Sequence, residues 1–188
     1  MRYTATRYLV TMLLVGLSVI ATAQCGSIDR DSPGAVRKEV NRIFNKSLDA
    51  MESPLPSGGK AITWIPPDDS MRDQVKCLGA AGVSPTADLV HSTRRSFGHI
   101  LAIRMLGWEG GPEIVPPLAE ILAKPGDDPL KLDSLKLEAL ESLSSAPPDK
   151  ALPVIQNVLR TEKNPDLLKK AEGVAARLKS GLTSGPDS

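Results

Sequence analysis

Between residues 92 and 159 the chain spells one unit twice, and that repetition limits what it can fold into more than any other feature. The first copy reads Ala102-Ile103-Arg104-Met105-Leu106, then a Gly-rich break, then Ile114-Val115-Pro116-Pro117-Leu118-Ala119-Glu120-Ile121-Leu122. A shift of 37 residues, from Ile103 to Leu140, brings up Ala139-Leu140-Glu141-Ser142-Leu143, a Pro-rich break, and Ala151-Leu152-Pro153-Val154-Ile155-Gln156-Asn157-Val158-Leu159. Apolar residues coincide at 103/140, 106/143, 114/151, 115/152, 118/155, 121/158 and 122/159, and Pro116 coincides with Pro153. Within each copy the apolar residues recur at helical spacing, so the unit is a pair of helices joined at the break. A single such pair leaves an apolar stripe open to water, and stacking neighbours closes it. The expected fold class is therefore all-α, a short α-solenoid of about three antiparallel helix pairs.

The rest of the chain fits that frame. With aromatic content at 3% against 41% hydrophobic residues overall, the core must be built from Leu, Ile, Val and Ala. Such a core suits packed helices better than a β-sandwich. Ser32-Pro33 reads as N-cap and first position of an amphipathic helix over about 33–52, with Val36, Val40, Ile43, Phe44, Leu48 and Met51 inward. A Pro/Gly-rich linker follows to residue 67. In it Ala61-Ile62-Thr63-Trp64-Ile65 reads either as a short strand or as a cover over the repeat core, and the absence of an obvious partner strand favours the cover. The repeat domain then spans 68–180, with helices at 68–80, 92–107, 113–124, 128–145, 149–161 and 164–180. Pro112, Pro129 and Pro165 stand at or near helix starts. Ser84-Pro85 is read as a single helical turn inside the loop between the first two. Residues 181–188 are polar and form an expected disordered tail.

The N-terminus points to export. Arg2 and Arg7 precede an apolar run over residues 8–20, and Ala21-Thr22-Ala23 offers an A-x-A cleavage site between Ala23 and Gln24. The run is about 13 residues, short of the ~20 needed to span a bilayer. The expected location is periplasmic or secreted, with no stable membrane anchor once residues 1–23 are removed. The alternative is a chain tethered by an uncleaved N-terminal segment. Gln24 stands where a lipid-attachment site needs a small residue, which argues against a lipoprotein. An oxidising compartment opens a disulfide between Cys25 and Cys77, the only two cysteines. The plainer alternative is a buried Cys77 and a free thiol in a flexible tail. Without Arg2 and Arg7 the formal net charge of +1 becomes about −1, which gives no electrostatic case for nucleic acid.

The segments Ile103-Arg104-Met105-Leu106-Gly107, Glu113-Ile114-Val115-Pro116-Pro117-Leu118, Leu137-Glu138-Ala139-Leu140 and Ala151-Leu152-Pro153-Val154-Ile155 together resemble the HEAT-repeat superfamily in its short bacterial form. The resemblance covers residues 92–180 well and 68–91 poorly. It implies a curved solenoid that binds a partner, usually a protein or peptide. It also implies a second possibility, because some short HEAT-like proteins are bilin lyases or maturation factors for cofactor-carrying proteins.

The reactive inventory is thin. His91 and His99 are the only histidines, and with Arg94 and Arg95 they crowd a helix start. Ser92, Arg95 and His99 fall on one face of a helix opening at Ser92, so Arg95 and His99 are the candidate contacts for an acidic or phosphate-bearing partner. A solvated helix start is the simpler account of the same residues. The two histidines have no carboxylate at ligand spacing and make a poor metal site. Asp127, Asp128 and Asp133 lack the Gly and terminal Glu of a calcium loop. Glu138 and Glu141 fit a solvated row better than acid–base catalysis. Arg104, alone on an apolar helix, should pair with a carboxylate of the next repeat, Glu138 or Glu141. No phosphate loop, nucleophile elbow or Cys–His pair is present. No cofactor, metal or catalytic group is implied. The expectation is a non-catalytic scaffold or adaptor that grips its partner through the inner row of second helices, against the alternative of a maturation factor or lyase.

Overall fold

The computed structural model describes residues 28–54, 60–62, 69–95, 97–124 and 129–181, with the backbone alone at 52–54, 60–62 and 129–132. Eight helices carry almost all of it: α1 (Pro33–Met51), α2 (Asp69–Leu78), α3 (Ala80–Ser92), α4 (Gly98–Glu109), α5 (Val115–Ala123), α6 (Pro129–Ser142), α7 (Pro148–Thr161) and α8 (Pro165–Ser180). Single 3-10 turns at Pro112–Ile114 and Leu143–Ser145 lead into α5 and extend α6. Among the described residues no helix is long and apolar enough to cross a membrane. The described residues are all-helical apart from one small ribbon, in which β1 (Glu52–Pro54) pairs antiparallel with β2 (Lys60–Ile62). That ribbon supplies the partner strand that the sequence had not revealed. Trp64 and Ile65 lie outside the described residues.

The three pairs are α3 with α4, α5 with α6, and α7 with α8, and α4, α6 and α8 stack on one another as the second row. Positions that coincide under the 37-residue shift also share their environment. Ile103 and Leu140, Leu106 and Leu143, Ile114 and Ala151, and Leu118 and Ile155 are all fully buried, whereas Pro116 and Pro153 are both exposed. Seam hydrogen bonds reinforce the stack. Ser142 Oγ donates to the Ile103 carbonyl at 3.0 Å and Ser145 Oγ to the Gly107 carbonyl at 2.6 Å. Gly107 permits this approach, since a Cβ there would stand 2.8 Å from Ser142 Oγ.

The first pair differs from the expectation. Ser92 closes α3 instead of opening a helix, and α3 takes the place that the sequence reading gave to 68–80. Gly79, Gly82, Ser84 and Pro85 look like breakers in one dimension. In the fold Gly79 adopts φ 52° and starts the helix, while Gly82 and Pro85 are buried contacts within it. The displaced helix α2 packs with α1 against α3 and α4, so two helices close this end of the array. Helix α1 begins as read: the Ser32 hydroxyl accepts from the Ala35 amide at 3.4 Å, and Val36, Val40, Ile43, Phe44, Leu48 and Met51 are all buried. At the other end Asn164 caps α8 by accepting from the Asp166 amide at 2.9 Å, and Gly181 ends it in the left-handed conformation.

Candidate binding groove

An opening lies between the first helices of the last two pairs. Helices α5 and α7 leave a groove of about 700 Å³ whose walls include Ala119, Leu122, Val154 and Val158. Repeat geometry produces it. Each first helix buries a row, Leu118, Ile121 and Leu122 or Ala151, Ile155 and Val158, of which Leu122 and Val158 also reach the groove. Smaller apolar residues and the exposed proline are left to face outward. Pro153 also edges a second opening, of about 440 Å³, with Gln156, Leu159 and Arg160. Proline lacks an N–H and fixes its own backbone, so it presents a rigid apolar surface at little entropic cost.

The rim is charged but internally neutralised. Lys136 Nζ donates to Glu162 Oε2 at 3.0 Å. Lys124 Nζ stands 3.1 Å from Glu120 Oε1 and 3.2 Å from His91 Nδ1, and His91 Nε2 lies 3.7 Å from the same Glu120 oxygen. The Lys124 hydrogen bond and charge, with His91 behind, hold the Glu120 carboxyl below the usual carboxylate range. For Glu162 the backbone N–H of Lys163 is the main cause of a similar lowering, opposed by partial burial and aided by Asn164 and Lys136.

The row of second helices carries its charges in pairs. Arg104 holds Glu138 through two hydrogen bonds of 2.7 Å, from Nε and Nη2, with side chains 25% and 16% exposed. Glu141 occupies the position equivalent to Arg104 one repeat on, and it reaches forward in turn. Its Oε2 receives Arg177 Nη2 at 2.7 Å and Lys170 Nζ at 2.5 Å. Burial raises the Glu141 pKa, but the two cations outweigh it and the net direction is down. The Arg104 pair is the one the sequence suggested. The solvated row proposed for Glu138 and Glu141 is replaced by inter-repeat pairing. A shallower groove of about 470 Å³ adjoins these residues, lined by Leu137, Gly173, Val174, Lys169, Lys170 and Arg177 among others.

The remaining candidates separate. Ser92 ends α3, Arg95 lies in the connection, and His99 is in the first turn of α4, so the three do not share a helix face. Arg95 Nη2 meets Asp49 Oδ1 of α1 at 3.0 Å, and His99 Nδ1 lies 2.7 Å from the Val90 carbonyl, to which it donates. Both tie α3, α4 and α1 together, which is a structural use of the stripe. Cys77 is buried and disulfide-bonded. Cys25, Ala23 and Gln24 lie outside the described residues. Among the described residues no group of three or more His, Cys, Asp or Glu side chains could hold a metal ion. The sequence reading missed the α5–α7 groove, although the coincidence of Pro116, in the first turn of α5, with Pro153, inside α7, was a signal of an exposed first-helix face. It also missed Glu109, whose carboxyl is buried between α3 and α4.

No protein-family model, curated protein or solved structure matches this chain.

Proposed function

We propose that the chain is an exported, non-catalytic HEAT-like repeat scaffold that holds an apolar segment of a protein partner in the groove between α5 and α7. One observation carries the reading: an open, apolar-floored groove with a rigid proline at its edge and a rim whose charges cancel. An apolar partner segment loses water there without leaving a rim charge unpaired. The second-helix row is the weaker site, because Arg104, Glu138, Glu141, Lys170 and Arg177 are already spent on one another. A catalytic reading needs reactive groups that converge, and the described histidines are used in seam contacts and an ion cluster on separate elements. The pattern of residues 1–23 supports export, and the absence of another cysteine in the chain supports Cys25 as the partner of Cys77.

The test is a pull-down from the exported fraction with the chain from Gln24 as bait, run beside Val154→Glu and Lys169→Glu. A stoichiometric protein held by wild type and Lys169→Glu but lost from Val154→Glu is expected. Equal recovery by all three removes the groove from the proposal. A chromophore carried by the purified chain would favour the maturation-factor alternative.

A further inference from the structure

Glu109 closes α4 and turns its carboxyl back into the seam with α3. Oε1 accepts from the Thr86 hydroxyl at 2.6 Å, and Thr86 is fully buried. Oε2 is sealed from solvent and meets no donor among the described residues. Gly82 makes the space, since a Cβ there would stand 2.5 Å from Glu109 Oε1 and 2.8 Å from Leu78 Cβ. The preceding residue repeats the theme. Trp108 is buried with its indole N–H unsatisfied, beneath the Arg72 guanidinium 5.9 Å from the ring centroid.

Of the charged side chains on the neighbouring elements, Asp69, Asp73 and Lys76 of α2 are exposed, and others are engaged elsewhere. Asp88 is bound by Arg37, Glu138 by Arg104, Glu141 by Lys170 and Arg177, and Lys136 by Glu162. Arg72 lies over Trp108, and Glu113 is exposed beside Gly111. Among the described residues only the Thr86 hydroxyl bonds this carboxyl, and a buried ion with so little support costs more than the neutral acid. Burial, opposed by the Thr86 hydrogen bond, pushes the Glu109 pKa up to about 8.

We propose that the α3–α4 seam is a pH-sensitive latch, shut while Glu109 keeps its proton and released when that proton passes to solvent. Opening the seam hydrates Glu109 and returns it to its ordinary value of 4.5. Between the two values the open state binds fewer protons than the shut one. Opening therefore becomes about tenfold easier per pH unit from about pH 5 to pH 8, and levels off above that. Helices α1 and α2 rest on α3 and α4, so release loosens that end of the array and leaves α5 to α8 in place.

Amide hydrogen exchange on the full chain, followed from pH 5 to pH 9.5, tests the latch. Residues 86–90 are compared with helix α7 in the same sample to remove the intrinsic base dependence of exchange. In wild type the relative opening of 86–90 should rise about tenfold per unit and level off near pH 8. Glu109→Gln should flatten that slope. Thr86→Val removes the hydroxyl that favours the ion, and should move the levelling-off to higher pH. A slope shared by wild type and Glu109→Gln overturns the latch. If Glu109→Gln does not fold, an unmoved levelling-off in Thr86→Val overturns it instead.

Discussion

The two ends of this molecule solve the same packing problem with different chemistry. At the C-terminal end the seam between α6 and α8 is bridged by Glu141 with Lys170 and Arg177, and nearby Asn164 donates to Asp133 at 2.7 Å. At the N-terminal end α4 buries Glu109 against α3 and Trp108 beneath Arg72 of α2, with polar atoms left unsatisfied, and the α3–α4 seam closes only because Gly82 has no side chain. One seam is held by ion pairs, although Arg177 Nε is itself buried without a partner among the described residues, and the other by close approach at its centre. They should therefore fail under different stresses.

The core that both ends share should dominate any perturbation. Leu106 and Leu143 are fully buried and coincide under the repeat. Truncating either to Ala should cost about 2–5 kcal/mol, and the two costs should be similar. Denaturant melts measure both, and a large gap between them would break the equivalence of the two units.

The pH response should separate the ends next. Glu109, with its pKa raised to about 8, favours the folded state most fully below its ordinary 4.5, and that contribution is lost as pH rises through about 8. The loss should be about 1.4 kcal/mol per pH unit across that window. Glu141 acts in the opposite sense. Its lowered pKa gives stability that is present above 4.5 and lost as pH falls through its folded value. Thermal melts of Glu109→Gln and Glu141→Gln across pH should flatten the alkaline and acid limbs respectively. Either variant flattening the wrong limb would contradict this assignment.

Glycine substitutions give a sharper contrast. Gly82→Ala should cost about 1–3 kcal/mol, since the added Cβ meets Glu109 and Leu78. Gly173→Ala lies within α8 and meets nothing within 4 Å, so it should stabilise by about 0.5–1 kcal/mol. Melts showing the same sign for both would erase the distinction between the seams. Arg104→Met, which leaves a half-buried Glu138 without its bidentate partner, should cost about 1–2 kcal/mol after allowance for partial exposure. An unchanged melt would remove that pair from the forces joining the repeats.

The contrast also explains which parts of the fold were legible. Where apolar periodicity runs between clear punctuation, as in 113–180, the sequence marks each helix to within a few residues and marks its buried row. Helix α3 escaped because its N-terminal half, Ala80-Ala81-Gly82-Val83-Ser84-Pro85, carries a Gly and a Pro, and Gly82 serves close contact with Glu109 and not helix propensity. Local rules read those residues as a loop, and tertiary contact overrides them. The pairing of Arg104 was legible because a lone cation on an apolar helix needs a partner. The α5–α7 groove was not, because a groove is a space between elements and depends on how far two first helices splay.

A photo-crosslinking residue decides most directly where the partner sits. Benzoylphenylalanine is placed at Asn157, beside the first-helix groove, and in a second chain at Lys169, on the second-helix row; both positions are exposed. A discrete crosslinked protein from position 157 and none from position 169 is expected. A crosslink from 169 alone would contradict the proposed groove and return the binding surface to the inner row.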